Sequence, residues 1–147
     1  MSIIYYKKDI TTTERGIIAH GVNCQGKMNS GIAKVIRDKW PVVYTEFSKQ
    51  PPGHKMLGYV NMVYINDNLY VANCFTQEYY GRNKEKYASV GAILYALNRC
   101  IEYATVLALP FYMPKIGCGL GGLDWALEVE PCVYKIAEHF DINVCEI

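Results

Sequence analysis

Residues 113–125 read Met-Pro-Lys-Ile-Gly-Cys-Gly-Leu-Gly-Gly-Leu-Asp-Trp, with four glycines inside the six positions 117–122. An apolar run, residues 106–113, leads into them, and a helical pattern follows, with Asp124 at its natural cap position. An apolar run without polar alternation predicts a strand covered on both faces, as in a parallel sheet between helices. Glycines at its end adopt φ > 0 and let backbone amides come close to a ligand. Successive amides form an anion nest, and the following helix start adds partial positive charge, a combination suited to a pyrophosphate. A tight turn without a ligand is the alternative reading. The segment matches neither GxxxxGK[ST] nor a GxGxxG after the first strand, which argues against a P-loop nucleotidase and a dinucleotide dehydrogenase.

A second polar, glycine-containing segment, His20-Gly21-Val22-Asn23-Cys24-Gln25-Gly26-Lys27-Met28-Asn29-Ser30-Gly31-Ile32-Ala33, follows another apolar run at residues 16–21. Two such loops at the carboxyl ends of buried strands would converge on one crevice, where open α/β sheets bind ligands. The side-chain amides of Asn23 and Gln25 suit ribose hydroxyls, and Gly31 opens a helix that would meet a second phosphate.

The remaining pattern alternates strands with helices. Residues 2–6 predict a first strand. Ile32, Val35, Ile36 and Trp40 fall at helical spacing, and Pro41 ends that helix or starts the next. Residues 58–65 and 69–75 form a hairpin around Asn66-Asp67-Asn68. Val90, Ile93, Leu94, Leu97, Ile101 and Ala104 mark a long amphipathic helix, residues 106–113 the buried strand, Val129 to Phe140 a last helix and residues 143–147 a last strand. The expectation is a three-layer α/β/α domain, residues 1–147, with a mixed, mostly parallel central sheet.

Composition narrows the ligand. Lys and Arg number 15 against 14 Asp and Glu, a net charge of +1, too balanced for a protein gripping many phosphates of a nucleic acid. A single nucleotide needs only a few placed donors. Thirteen tyrosines against four phenylalanines indicate a partly exposed core edge or an aromatic ligand cleft. The six cysteines include no CxxC pair, and His54 and His139 stand alone, so neither zinc nor another metal is expected. Reduced thiols and no secretory pattern point to the cytoplasm. The apolar stretch 104–113 contains Pro110 and is too short for a bilayer. The reading is a monomer acting on a small molecule, with no cofactor, no membrane and no nucleic-acid partner.

Asp9-Ile10-Thr11 after the first strand, the 20–33 loop, Asn73 with Gln77, and the Pro-Lys-Ile-Gly-Cys-Gly-Leu loop ending at Asp124-Trp125 occur in an order that resembles the macro domain family. The similarity covers nearly the whole chain. It is closest to the small ADP-ribose-1″-phosphate phosphatases and the related ADP-ribosyl-glutamate hydrolases. The resemblance implies that ADP-ribose is the ligand. It implies that Asp9 accepts from the adenine amino group with Ile10 lining the base pocket, and that Asn23 binds the distal ribose; Gln25 and Gln77 join them as candidate substrate-binding residues. Gly31, Ile32 and Ala33 would form the first diphosphate loop, with Ile116, Gly117, Cys118, Gly119, Leu120 and Gly121 as the second. Without the resemblance, Asp9 reads as a turn or cap aspartate.

The expected activity is hydrolysis of ADP-ribose 1″-phosphate, with His20 activating water or protonating the leaving oxygen and Asp124 orienting it. The alternatives are structural: a histidine ending a buried strand, and a helix cap. The hydrolase relatives use a lysine on the strand before the long helix and an aspartate directly after Gly-Cys-Gly-Leu. Here the strand end reads Asn73-Cys74-Phe75-Thr76-Gln77 and the second position is Gly121, although Lys84 and Lys86 lie close by in sequence. Those departures favour the phosphatase branch. Cys24 and Cys118 lack the arginine of a Cys-x5-Arg phosphatase loop and are discounted. A non-catalytic ADP-ribose reader and an ADP-ribosyl ester hydrolase acting on protein or nucleic acid are the rival functions.

Overall fold

The computed structural model describes residues 2–24, 26, 28, 31–51, 53–77, 88–118 and 121–146. Six strands, β1 (Ile3–Lys7), β2 (Gly16–Asn23), β3 (Val60–Asn66), β4 (Leu69–Gln77), β5 (Phe111–Met113) and β6 (Ile142–Glu146), form one sheet in the order β1-β6-β5-β2-β4-β3. Every neighbouring pair is parallel except β3 with β4, a hairpin that turns at Asp67 and Asn68, where the Asn66 side chain accepts from the Asn68 amide. The sheet is thus mixed and mostly parallel, as the alternation of strands and helices predicts.

Among the described residues four helices cover it: α1 (Gly31–Lys39), α2 (Pro41–Ser48), α3 (Val90–Leu107) and α4 (Glu130–Ala137). Successive side chains of a strand point to opposite faces, so each central strand feeds two cores. Ile17, Ala19, Ala72, Cys74, Phe111 and Met113 pack with Ile93, Leu97 and Val133 of α3 and α4. Ile18, Val22, Val71 and Phe75 pack on the other face with Ile36, Val43 and Phe47 of α1 and α2. Pro41 occupies the first turn of α2, where its missing amide breaks no helical bond, so it starts the second helix. Ser89 caps α3 by accepting from the Ala92 amide.

One expected element differs. The apolar run 106–113 is not one long strand: α3 continues through Leu107 and ends at Ala108, which adopts the left-handed conformation. Val106 is 84% exposed, and β5 comprises only Phe111 to Met113. Apolarity alone cannot separate the end of a helix from the start of a buried strand. Pro110 is the divider: its carbonyl accepts from the Ile17 amide and begins the pairing with β2.

Candidate functional site

Five parallel strands bring their carboxyl ends to one rim. From β2 the chain passes into α1 on one face of the sheet, and from the adjacent β5 it passes toward α4 on the opposite face. Neighbouring strands whose exits part in this way leave a crevice between their loops, the switch point at which open α/β sheets hold ligands. The two glycine-containing loops leave from these adjacent strands, and β2 approaches the second loop where a Cβ on Gly21 would stand 3.3 Å from the Ile116 side chain. Each is rooted in a different core: Cys24 and Met28 are buried on the α1/α2 side, Ile116 and Leu123 on the α3/α4 side.

In the first loop, Asn23 ends β2 and pairs in register with Gln77 across a bulge, and both residues take part in further interactions. Gly31, the first residue of α1, has φ +63°, and no atom of the described residues lies within 4 Å of where a Cβ would stand, so among these residues its α-carbon borders open space. Ile32 and Ala33 are half-buried against the α1/α2 core. Gln25 lies outside the described residues, as do Gly119, Leu120, Lys84 and Lys86.

The second loop folds back on itself. The Leu123 amide donates to the Gly117 carbonyl at 3.0 Å and the Cys118 amide to Lys115 at 3.2 Å. A Cβ on Gly121 would stand 2.6 Å from the Gly117 oxygen, so the space where a side chain begins is filled by backbone. The Gly121 carbonyl accepts from the Ala88 amide, which ties the loop to the approach of α3. Burial, with the Asp124 carboxylate nearby, pushes the Cys118 thiol up to about 11, far from the thiolate that a nucleophile would require.

Asp9 caps a short 3₁₀ turn, Ile10–Thr12, at the exit of β1. Its Oδ1 accepts from the Thr11 hydroxyl at 2.7 Å and the Thr11 amide at 2.9 Å. Those bonds, led by the hydroxyl, hold the carboxyl below its ordinary range. Ile10 is buried in the α1/α2 core, and Lys39, the last residue of α1, donates to the Thr11 carbonyl, fixing this turn against the carboxyl-terminal end of α1.

His20 and Asp124 are not brought together. His20 is fully buried on the α1/α2 face, three residues before the end of β2. Asn73, its register partner on β4, donates its amide to the Val43 carbonyl and to Asn61 Oδ1, which leaves Asn73 Oδ1, 2.6 Å from His20 Nε2, as the acceptor. The ring thus carries its proton on Nε2, and Nδ1 has no partner among the described residues. Burial drives the His20 pKa down to about 4. Asp124 is exposed and belongs to the opposite side, accepting from the Leu127 amide as the cap of a π turn, Trp125–Val129, that leads into α4.

Sequence reasoning overlooked the Tyr5–Trp125–Glu130 cluster that anchors this turn. The Trp125 indole donates to the Tyr5 hydroxyl at 2.9 Å, and Tyr5 in turn donates to Glu130. It also overlooked Thr76, a buried hydroxyl without a partner among the described residues, which occupies the space beside Gly21. Among the described residues no group of three His, Cys, Asp or Glu could hold a metal ion, and no helix is long and apolar enough to cross a membrane.

An open sheet in which adjacent strands β2 and β5 lead into glycine-containing loops at a switch point defines the class: an α/β protein of the kind that holds ligands at strand ends. Comparison with known proteins narrows it. An uncharacterized 17.5 kDa protein of Enterobacteria phage T4 is 30% identical over 132 residues, 85% of this chain and 84% of that protein. The ADP-ribose 1″-phosphate phosphatase of Debaryomyces hansenii is 28% identical over 176 residues, 97% of each chain. The DNA ADP-ribosyl glycohydrolase of Mycobacterium tuberculosis is 28% identical over 127 residues, 84% of this chain, and the match spans only 35% of that protein. Among solved structures, a macrodomain protein from Streptomyces coelicolor superposes with a TM-score of 0.79 at 25% identity over 99% of both chains. Thermosipho africanus DarTG in complex with ADP-ribose gives 0.76 at 19% identity over 98% of this chain and 41% of that one. No known protein-family model matches the sequence. The chain belongs to the macro domain family.

Proposed function

We propose that this protein binds ADP-ribose in the crevice between the β2 and β5 loops and hydrolyses ADP-ribose 1″-phosphate. The observation that carries the proposal is the divergence of those two loops from adjacent strands, with open space over Gly31 on one side and the self-closed turn at Gly117 on the other. The adenine end would lie at Asp9, where Thr11 holds Oδ1 and leaves Oδ2 to accept from the base. In the reaction water attacks phosphorus, the bond from phosphorus to the ribose oxygen breaks, and that oxygen takes a proton. The products are ADP-ribose and inorganic phosphate, and no cofactor enters the balance.

Within this reading Asp124 is the accessible carboxylate available to orient or deprotonate water, and His20 serves the fold. A sealed imidazole with a pKa near 4 is a poor base for water at the rim, so the sequence-based role of His20 finds no support in its surroundings. Phosphatase chemistry is favoured over lysine-and-aspartate hydrolysis because the described end of β4 carries no lysine and Gly121 has no room for a side chain. The near-complete overlap with a relative named as a phosphatase supports the same branch.

A non-catalytic reader is the second reading, favoured by the separation of His20 from Asp124. Phosphate release from ADP-ribose 1″-phosphate decides between the two. The phosphatase reading expects turnover that Asp124→Asn removes and His20→Asn retains in folded protein. Tight ADP-ribose binding without any phosphate release establishes the reader.

A further inference from the structure

Buried polar groups in folded proteins are almost always paired, and each exception costs stability. Thr76 is such an exception. It is 1% exposed, and its hydroxyl has no partner among the described residues. The other two unpaired atoms are Thr13 Oγ1, just after the turn at Asp9, and His20 Nδ1, within β2. Of the three, Thr76 Oγ1 is the one at the carboxyl exit of a central strand.

The backbone around this hydroxyl is unusual on both strands. Val22 pairs with Phe75 and Asn23 with Gln77, so Thr76 is an extra residue of β4, a bulge in a parallel pair. Bulges are rare between parallel strands and concentrate next to active sites. On β2, a Cβ on Gly21 would stand 2.5 Å from Thr76 Oγ1 and 3.3 Å from Cγ1 of Ile116. Glycine at position 21 therefore leaves room for the hydroxyl, and Ile116 of the second loop packs against the same spot. The Thr76 carbonyl accepts from the Ser89 amide at 2.8 Å, which fixes the bulge to the start of α3. Thr76 Oγ1 thus stands where β4, β2 and the loop after β5 meet.

We propose that the Thr76 hydroxyl is a substrate-binding donor for the distal ribose end of the ligand, reached as the ligand turns the Ile116 side chain aside. This rests on ADP-ribose lying in the crevice as proposed above. With adenine at Asp9, at the exit of β1, and the diphosphate between the β5 and β2 loops, the rim order β1-β6-β5-β2-β4 carries the far ribose to the step between β2 and β4. Asn23, Thr76 and Gln77 stand at that step. A hydroxyl donates as well as accepts, so it suits the oxygens of a sugar. Thr76 gives up no protein partner when it bonds to the ligand, whereas a paired hydroxyl would exchange one bond for another.

Calorimetry on the full chain with ADP-ribose and with ADP, which lacks the distal ribose, tests the assignment. Thr76→Val keeps the branched shape and removes the hydroxyl, and Thr76→Ser keeps the hydroxyl. The valine variant should bind ADP-ribose about five- to ten-fold more weakly and ADP within about two-fold of the unmodified chain. The serine variant should hold ADP-ribose within about two-fold. The thermal midpoint of Thr76→Val should not fall, because an unpaired hydroxyl contributes nothing to the fold. Unchanged ADP-ribose affinity in Thr76→Val overturns the assignment. So does an equal loss for ADP and ADP-ribose, or a valine variant that no longer folds, since either marks a hydroxyl that serves the fold. Failure of the unmodified chain to bind ADP-ribose overturns the functional reading and this assignment together.

Discussion

Nε2 of His20 and Oδ1 of Asn73 lie 2.6 Å apart on directly paired positions of β2 and β4, in the layer that α2 covers. With Asn61 they form a polar rung across three strands inside an otherwise apolar core. The Nε2–H donation to Asn73 would survive protonation, so what the buried site disfavours is the imidazolium charge, which it cannot solvate.

Stability is therefore expected to depend on pH through this residue. The folded pKa of about 4 lies below the ordinary 6.5 of an unfolded histidine, so between these values the unfolded chain binds more protons. The contribution is complete above pH 6.5 and is lost as pH falls toward 4. Urea unfolding at pH 7 and pH 5 should show a loss of about 2 kcal/mol that His20→Gln abolishes. An equal loss in the variant assigns the effect to other groups.

Gly121→Asp, which installs the carboxylate of the hydrolase relatives, is expected to damage the loop rather than add activity. Its Cβ meets the Gly117 carbonyl at 2.6 Å and Ala88 at 3.0 Å. Overpacking against backbone should remove on the order of 1–3 kcal/mol, read as a lowered thermal midpoint, together with weaker ADP-ribose binding. An unchanged midpoint with new release of ADP-ribose from a modified peptide contradicts this account of the loop.

Gly31→Ala separates backbone strain from ligand approach. Position 31 is left-handed but open, so the methyl group costs about 1 kcal/mol of stability. If the diphosphate passes over this α-carbon, ADP-ribose affinity falls by clearly more than that, in a titration performed well below the unfolding temperature. Unaltered affinity moves the diphosphate away from α1.

Asp9→Ala should weaken ADP-ribose binding by about 1–3 kcal/mol through loss of a charged acceptor. Thr11→Val keeps the carboxylate but removes the hydroxyl that orients Oδ1. It should produce a smaller loss. Equal affinity across both variants and the unmodified protein places the base elsewhere.

Much of the fold was readable because period-two and helical patterns report burial directly. The hairpin at Asp67 and Asn68 and the cap at Asp124 rest on local chemistry that the sequence displays, whereas Pro41 marked a helix boundary and only the structure shows that it starts α2. The boundary at Ala108 was not readable, since Val106 and Phe111 are equally apolar and only pairing with β2 distinguishes them. The glycine loops announced themselves. The environment of His20 did not: its closure by Asn73, Asn61 and the Val43 carbonyl comes from three separate segments. The unpaired hydroxyl of Thr76 was hidden for the same reason, because its neighbours Gly21 and Ile116 come from β2 and the second loop.

The central claim is that the β2 and β5 loops hold one ADP-ribose between them. Isothermal titration of the purified chain with ADP-ribose tests it most directly. One binding event per chain, sharply weakened by Gly31→Ala at unchanged fold, is the result the account predicts. No measurable heat with the folded protein, or a site indifferent to Gly31, contradicts it.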